Sequence, residues 1–322
     1  MTGPRPAARR PPAGHPATGH PATGHPATER PLLILSDVDG TLLGEEGLPV
    51  TPAVLRRGLS QLETDWGAPV QLGLASSRTL RELTVLQRAL GIPGPCIAED
   101  GALWAVDSAA TRDSADHSDV EQHGRRRLKA RHIAATAETL RQHMAGLEPF
   151  TRADTRQRSM AALRELGFRT PASARRALHA RRNSVLVDPL AISPSELDHI
   201  RETSEQRGLQ LRRGGRWFTL TSAGGKGPAL CALRHHFTVD GVSPLIAAIG
   251  NEENDVSLLA EADLRFVIRN PHRGPHPALA ALPEAIVLEA EGPGGWMQML
   301  DLLAQYASAQ HASTRRSSGA RT

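Results

Sequence analysis

Leu32-Leu33-Ile34-Leu35 is a continuous apolar run that breaks off into Ser36-Asp37-Val38-Asp39-Gly40-Thr41. A run this short predicts a buried parallel strand that delivers two carboxylates at its carboxyl end, where open α/β sheets place their sites. In an extended chain Asp37 and Asp39 share a face, with roughly 7 Å between their Cα atoms. Such a pair can hold a divalent cation and leave one carboxylate free to attack or to pass protons.

The same alternation of apolar runs and helical spacing continues down the chain. Val54, Leu55, Leu59 and Leu62 predict a helix over 52–63, and Val70 to Ala75 a second strand. That strand ends in Ser76-Ser77-Arg78-Thr79, where Thr79 and Glu82 form a capping-box pattern ahead of Leu80, Leu83, Leu86 and Leu90. Hydroxyls are thereby fixed at a strand-to-helix junction beside free backbone N–H groups, a setting that suits an anion. Cys96-Ile97-Ala98 predicts a third strand, followed by Glu99-Asp100-Gly101-Ala102 and apolar Leu103 to Val106.

From 107 to 132 the chain turns polar, which predicts a mobile insertion or linker. Residues 133–216 mix helical patterns over 133–144, 159–166 and 195–207 with strand-like Ser184 to Val187, a separate α+β module. Apolar strands then return at 217–220, 244–249, 265–268 and 285–288. Gly224-Gly225-Lys226-Gly227 opens a helix, Gly250-Asn251-Glu252-Glu253-Asn254-Asp255 follows the strand at 244–249, and 296–303 predicts a closing helix. Strands alternating with helices give an α/β fold with a parallel, doubly wound sheet, interrupted by the α+β module.

Composition narrows the chemistry. The 322 residues have room for one large or two modest domains. Two cysteines without CxxC spacing, and no recognisable secretory leader, predict reduced thiols and a cytoplasmic protein. No run approaches the roughly 18 apolar residues of a membrane span. The net charge is +4, but aromatics are only 3% and no nucleic-acid-binding motif occurs, so an anionic small molecule is the expected partner. Of 38 basic residues only Lys129 and Lys226 are lysines, which marks Lys226 as a place where a compact point charge matters. Residues 1–30 contain Gly-His-Pro-Ala-Thr three times and read, like 308–322, as a disordered tail; His15, His20 and His25 are its possible metal donors.

Asp37 and Asp39, Ser76, Lys226, and the Asn251/Asn254/Asp255 group together resemble the four motifs of the haloacid-dehalogenase phosphatase superfamily. The resemblance is to the type IIB subgroup, whose α+β cap lies between the second and third motifs. It implies a Rossmann-like core over 31–107 and 217–307 and a cap over 108–216. Within that subgroup the chain is most similar to the mannosyl-3-phosphoglycerate phosphatases. They share its Ser76-Ser77-Arg78-Thr79, a Glu-Asn-Gly-Ala turn (here Glu99-Asp100-Gly101-Ala102), Gly214-Gly215-Arg216-Trp217-Phe218, and Gly292-Pro293-Gly294-Gly295-Trp296.

What the resemblance implies is an Mg²⁺-dependent hydrolysis of a phosphorylated sugar, mannosyl- or glucosyl-3-phosphoglycerate. Asp37 would attack phosphorus to give an aspartyl-phosphate, Asp39 would act as acid and base, and Ser76 and Lys226 would bind the phosphoryl oxygens. Asp37, Asp39, Asn251 and Asp255 are the expected metal ligands. Ser77, Arg78, Arg181, Ser184, Arg212 and Asn254 are the expected substrate contacts; on the cap, guanidinium forks at Arg181, Arg182, Arg212 and Arg213 suit a carboxylate. One position departs from the pattern. The fourth motif of the family begins Gly-Asp, but here Asn251 follows Gly250, so the metal site loses a full charge that Asp255 or Glu252 must take up. The competing expectations are a phosphatase for another sugar ester of the sucrose- or trehalose-phosphate type, a phosphomutase relative, and a non-catalytic phospho-ligand binder.

Overall fold

The computed structural model describes residues 29–44, 50–108, 119–123, 126–165, 170–214 and 217–319. The His-Pro-Ala-Thr repeats and their histidines lie outside these residues. The first half of the core runs β1 (Leu32–Ser36), α1 (Pro52–Trp66), β2 (Val70–Ala75), α2 (Leu80–Leu90), β3 (Cys96–Ala98) and β4 (Leu103–Asp107). It continues into a hairpin of β5 (Asp119–His123) and β6 (Arg126–His132).

The inserted module comprises α3 (Ala137–His143), α4 (Glu148–Ala153), α5 (Met160–Glu165), α6 (Pro171–His179), β7 (Val185–Val187), α7 (Pro194–Gln206), β8 (Gln210–Gly214) and β9 (Trp217–Thr221). The core resumes with α8 (Lys226–Phe237), β10 (Leu245–Gly250), α9 (Val256–Ala260), β11 (Leu264–Arg269), α10 (Pro277–Ala280), β12 (Ile286–Glu291) and α11 (Gly292–Gly319).

Nine strands form the main sheet in the order β12-β11-β10-β1-β2-β3-β4-β6-β5, parallel from β12 through β3 and antiparallel beyond. β1 lies between β2 and β10, so the strand order reverses there and the crevice beyond its carboxyl end is the expected ligand site. Its apolar run explains the placement, because both faces of the strand are covered. Leu32 and Ile34 pack in one core with Leu55, Leu62, Leu83 and Trp296; Leu33 and Leu35 pack in the other with Leu230, Leu233 and Leu259. Among the described residues no helix is long and apolar enough to cross a membrane.

Three sequence expectations need correction. The stretch 107–132, expected as a mobile insertion, contributes β5 and β6 to the edge of the core sheet rather than to the cap. Leu128 and Ala130 point inward while Arg127 and Arg131 are exposed, a period of two hidden by the charged residues. Trp217–Thr221, expected as a core strand, is instead the middle of the small β7-β9-β8 sheet, so the cap extends through Thr221.

The third correction concerns the end of the chain. Residues 308–319, expected in a disordered tail, continue α11 as helix. That helix lies along α1, with Tyr306 stacked on Trp66 at 5.9 Å between ring centroids and His311 Nε2 3.2 Å from the Asp65 carbonyl oxygen.

Candidate active site

The carboxyl end of β1 is set by its register. Asp37 N donates to Ile249 O at 2.9 Å, so the aspartate leaves the sheet level with the last residues of β10. Ser36 Oγ donates to Asp37 O at 2.6 Å, and the buried Trp296 donates through Nε1 to that same Oγ at 3.1 Å. The tryptophan near the end of the sequence thus braces the backbone of the first motif.

Lys226, at the start of α8, is fully buried and lies between two acids. Its Nζ donates to Asp37 Oδ1 at 2.7 Å and to Asp255 Oδ1 at 2.6 Å. Burial disfavours an ammonium here, yet Asp255, Asp37 and Asp100 together push its pKa above the ordinary lysine value. For Asp37, burial and then repulsion from Asp255 raise the pKa to about 7, against the opposing pull of Lys226. The lysine alone therefore does not fully compensate the Asp37 carboxylate.

Asp255 has little donor capacity left. Its Oδ1 takes Lys226, and its Oδ2 takes the backbone N–H groups of Asn251 at 3.0 Å and Glu252 at 3.2 Å. The fourth-motif acid expected as a metal ligand is engaged in holding the lysine and its own loop. Asn251 lies over the turn that follows the two aspartates: Thr41 Oγ1 donates to its Oδ1 at 3.3 Å, and a Cβ on Gly40 would collide with its Nδ2. Gly40, at φ 79°, has a backbone that favours glycine in any case. Glu252, the other possible substitute, accepts from the Asp255 backbone N–H in a capping box and has its Oε1 3.6 Å from Arg273 Nη2.

Asp39 sits at the mouth, its side chain 57% exposed, and both its oxygens are held by the Arg78 fork at 2.6 and 2.9 Å. Ser76 is buried at the end of β2, with its Oγ accepting from Arg78 N at 3.3 Å. The remaining predicted contacts divide into two groups. Arg212 reaches the lysine loop, since a Cβ on Gly225 would lie 2.7 Å from its Nη1, and Gln210 Oε1 accepts from its guanidinium. Asn254 Nδ2 donates to Asp100 Oδ1 at 3.0 Å.

Arg181 and Ser184 form the second group and are engaged within the protein. Arg181 donates to Ser184 Oγ and to Ser77 O, both at 2.8 Å, and Ser184 Oγ donates to Glu99 Oε2 at 2.6 Å. From the sequence Glu99 is only part of a turn, with no assigned role. Asp100, in the same turn, is a second acid that sequence reasoning assigns no role. A cavity of about 850 Å³ lined by Arg81, Arg88, Glu99, His132, His179 and Arg182 lies beside this site, and its lining includes none of Asp37, Asp39, Ser76, Lys226, Asn251 and Asp255.

No family model matches the chain. It is 25% identical over 277 residues to the glucosyl-3-phosphoglycerate/mannosyl-3-phosphoglycerate phosphatase of Persephonella marina, covering 84% of this chain and 96% of that protein. In structure it is similar to a haloacid-dehalogenase-like hydrolase from B. subtilis, with a TM-score of 0.57 and 17% identity over 84% of this chain and 98% of the other. It is also similar to a sugar phosphatase of haloacid-dehalogenase subclass IIB, with a TM-score of 0.56 and 14% identity over 84% and 97% of the two chains. With Asp37, Ser76, Lys226 and Asp255 gathered at the switch point of a parallel sheet, and an α+β cap inserted after the second motif, the chain has the fold of the haloacid-dehalogenase-like hydrolases and is similar to their subclass IIB sugar phosphatases.

Proposed function

We propose that the protein is an Mg²⁺-dependent phosphatase that releases phosphate from a glycosylated 3-phosphoglycerate, mannosyl or glucosyl. The observation that carries this reading is the buried Lys226 held between Asp37 and Asp255 at the carboxyl end of β1. A fixed ammonium touching the attacking oxygen's own carboxylate is placed to orient Asp37 and to meet negative charge as it develops. The substrate class is supported by the Persephonella marina relative and by Arg212, a cap guanidinium set against the lysine loop, where a glycerate carboxylate would suit a planar fork.

The donor set fits a hard cation. Among the described residues Asp37 Oδ2 has no hydrogen-bond donor, Asn251 Oδ1 keeps a lone pair beyond the one Thr41 uses, and Asp37 lacks full charge compensation. Asp37 and Asn251 would hold Mg²⁺, whose chemistry is to neutralise charge between carboxylate and phosphoryl group. The Asp37 carboxylate forms the bond to phosphorus while the ester oxygen leaves, protonated by Asp39, which takes up a proton from solvent once Arg78 yields one of its oxygens. Asp39 next takes a proton from the water that opens the acyl phosphate, returning Asp37 as carboxylate. Asp255 holds Lys226 and the backbone of 251–252 throughout.

Phosphate release from a panel of esters, including both glycosyl-3-phosphoglycerates, sucrose phosphate and trehalose phosphate, tests the reaction and the leaving group together. If no ester is turned over with Mg²⁺ present, the phosphatase reading fails; if only the disaccharide phosphates react, the substrate assignment fails and the chemistry stands. For the metal, Asn251→Asp restores a carboxylate beside Thr41, and its Mg²⁺ affinity by calorimetry is expected to rise about tenfold. Identical binding isotherms for the two proteins would remove Asn251 from the site.

A further inference from the structure

The turn Glu99–Gly101 does more than join β3 to β4. Glu99 and Asp100 are both 1% exposed, and both adopt the left-handed conformation, at φ 52° and 56°. Consecutive non-glycine residues in that region persist only where their surroundings over-determine them. Gly101, at φ 90°, completes the turn, and a Cβ there would collide with Gly225 O, so the turn lies directly on the residue before Lys226.

The two acids of the turn face different partners. The Glu99 carboxylate is bound by the cap, Oε1 accepting from Arg182 N at 3.0 Å and Oε2 from Asn183 N at 3.0 Å and Ser184 Oγ at 2.6 Å, while its N–H donates to Arg78 O of the core at 2.9 Å. Those cap residues also close on both chain crossings, since Asn183 Nδ2 donates to Ala134 O at 2.8 Å and Thr221 Oγ1 donates to Asn183 O at 3.4 Å. Asp100 is bound by the core. Its N–H donates to Ser76 O at 3.1 Å, its Oδ1 accepts Asn254 Nδ2 at 3.0 Å, and its Oδ2 is buried without a hydrogen-bond partner.

We propose that Glu99 is a positioning residue that couples cap docking to the phosphoryl end of the site, because one strained turn grips the cap through Glu99 and holds Ser76 and the Asn254 loop through Asp100. Three donors from consecutive cap residues converge on one buried carboxylate, and replacing either oxygen by a donor sets N–H against N–H. The turn's conformation is fixed from both ends, so slack at Glu99 is carried to Asp100 and to the loop that holds Asp255 and Lys226. Only the kinetic arm of the test rests on the phosphatase reading.

Hydrogen exchange on the full-length protein, wild type against Glu99→Gln, reads the coupling without any substrate. Exchange is expected to quicken about tenfold at the Arg182 and Asn183 amides that lose their acceptor, at Asp100 next in the chain, and also at Asn251 and Glu252, which Glu99 does not touch. A cap anchor with no further role would change only the first pair, and that outcome overturns the proposal. With p-nitrophenyl phosphate and Mg²⁺, kcat should fall about tenfold while KM moves less than about twofold, and Glu99→Asp, which keeps the charge, should recover part of kcat. A rise in KM alone would contradict the coupling. Ser184→Ala, which removes one of the three donors, is the second variant should Glu99→Gln not fold; it should quicken exchange at both ends of the turn by about threefold. If wild type hydrolyses no ester, the phosphatase reading falls and the exchange arm still decides the coupling.

Discussion

Asp37→Asn is expected to lose phosphate release by about 10⁴-fold or more, and to make the metal-free protein more stable at neutral pH. The first effect follows from removing the attacking oxygen. The second follows from burial, since the Asp37 carboxyl titrates at about 7 in the fold and near 3.8 when unfolded. Between those values the native protein keeps a proton that the unfolded chain has released, so stability falls as pH rises. The contribution is fully present below about pH 4 and is lost through pH 7, for a total on the order of a few kcal/mol. Asparagine cannot ionise, so its stability profile lacks this slope. Melting temperatures in a chelator at pH 5 and pH 8 check it: wild type should drop further than the variant between the two. Parallel drops would mean that the carboxyl is not strained by its surroundings.

Lys226→Met carries the other large effect. The side chain it replaces is fully buried and touches two carboxylates, so the variant retains two uncompensated acids in the interior. Breaking a buried pair in this way costs about 3–5 kcal/mol. The loss should be smaller at pH 5, where Asp37 holds a proton, and activity should vanish at any pH. Adding Asp255→Asn removes one of the stranded charges while its amide oxygen still accepts Asn251 N and Glu252 N. The double variant is expected to regain most of the stability and none of the activity. Denaturant unfolding beside phosphate-release assays separates the two, and a double variant as unstable as the single one would refute the pairing.

The parts of this site that could be read from the sequence are those whose chemistry sits at the end of a strand. Asp37, Ser76, Lys226 and Asp255 each follow an apolar run or open a helix, and the structure brings their loops to the switch point of the sheet. Their division of labour was not readable, because an aspartate that holds a lysine and one that holds a metal are the same letter. The same limit explains Arg181 and Ser184, where a basic, hydroxyl-bearing stretch suits either a ligand or a joint between domains; the deciding partner, Glu99, lies 85 positions from Ser184.

Misread secondary structure has a simpler cause. β6 lies one in from the edge strand β5 with one face solvated, so Leu128 and Ala130 are diluted by arginines. Apolar Trp217–Thr221 reads as a strand correctly, but a strand pattern carries no address for the sheet it joins. The last turns of α11 have few apolar residues, and their contacts come from Tyr306 and His311 meeting α1.

The strand that carries Asp37 pairs on one side with residues 70–74 and on the other with residues 245–249. During synthesis its second neighbour arrives only after the whole cap has been made, whereas the cap sheet needs nothing beyond Thr221. Long-range pairing of this kind is slow and leaves an apolar strand edge open while it waits. The cap is therefore positioned to fold first, and the nascent core to be the aggregation-prone species, its catalytic strand half-paired until the chain has passed Gly250.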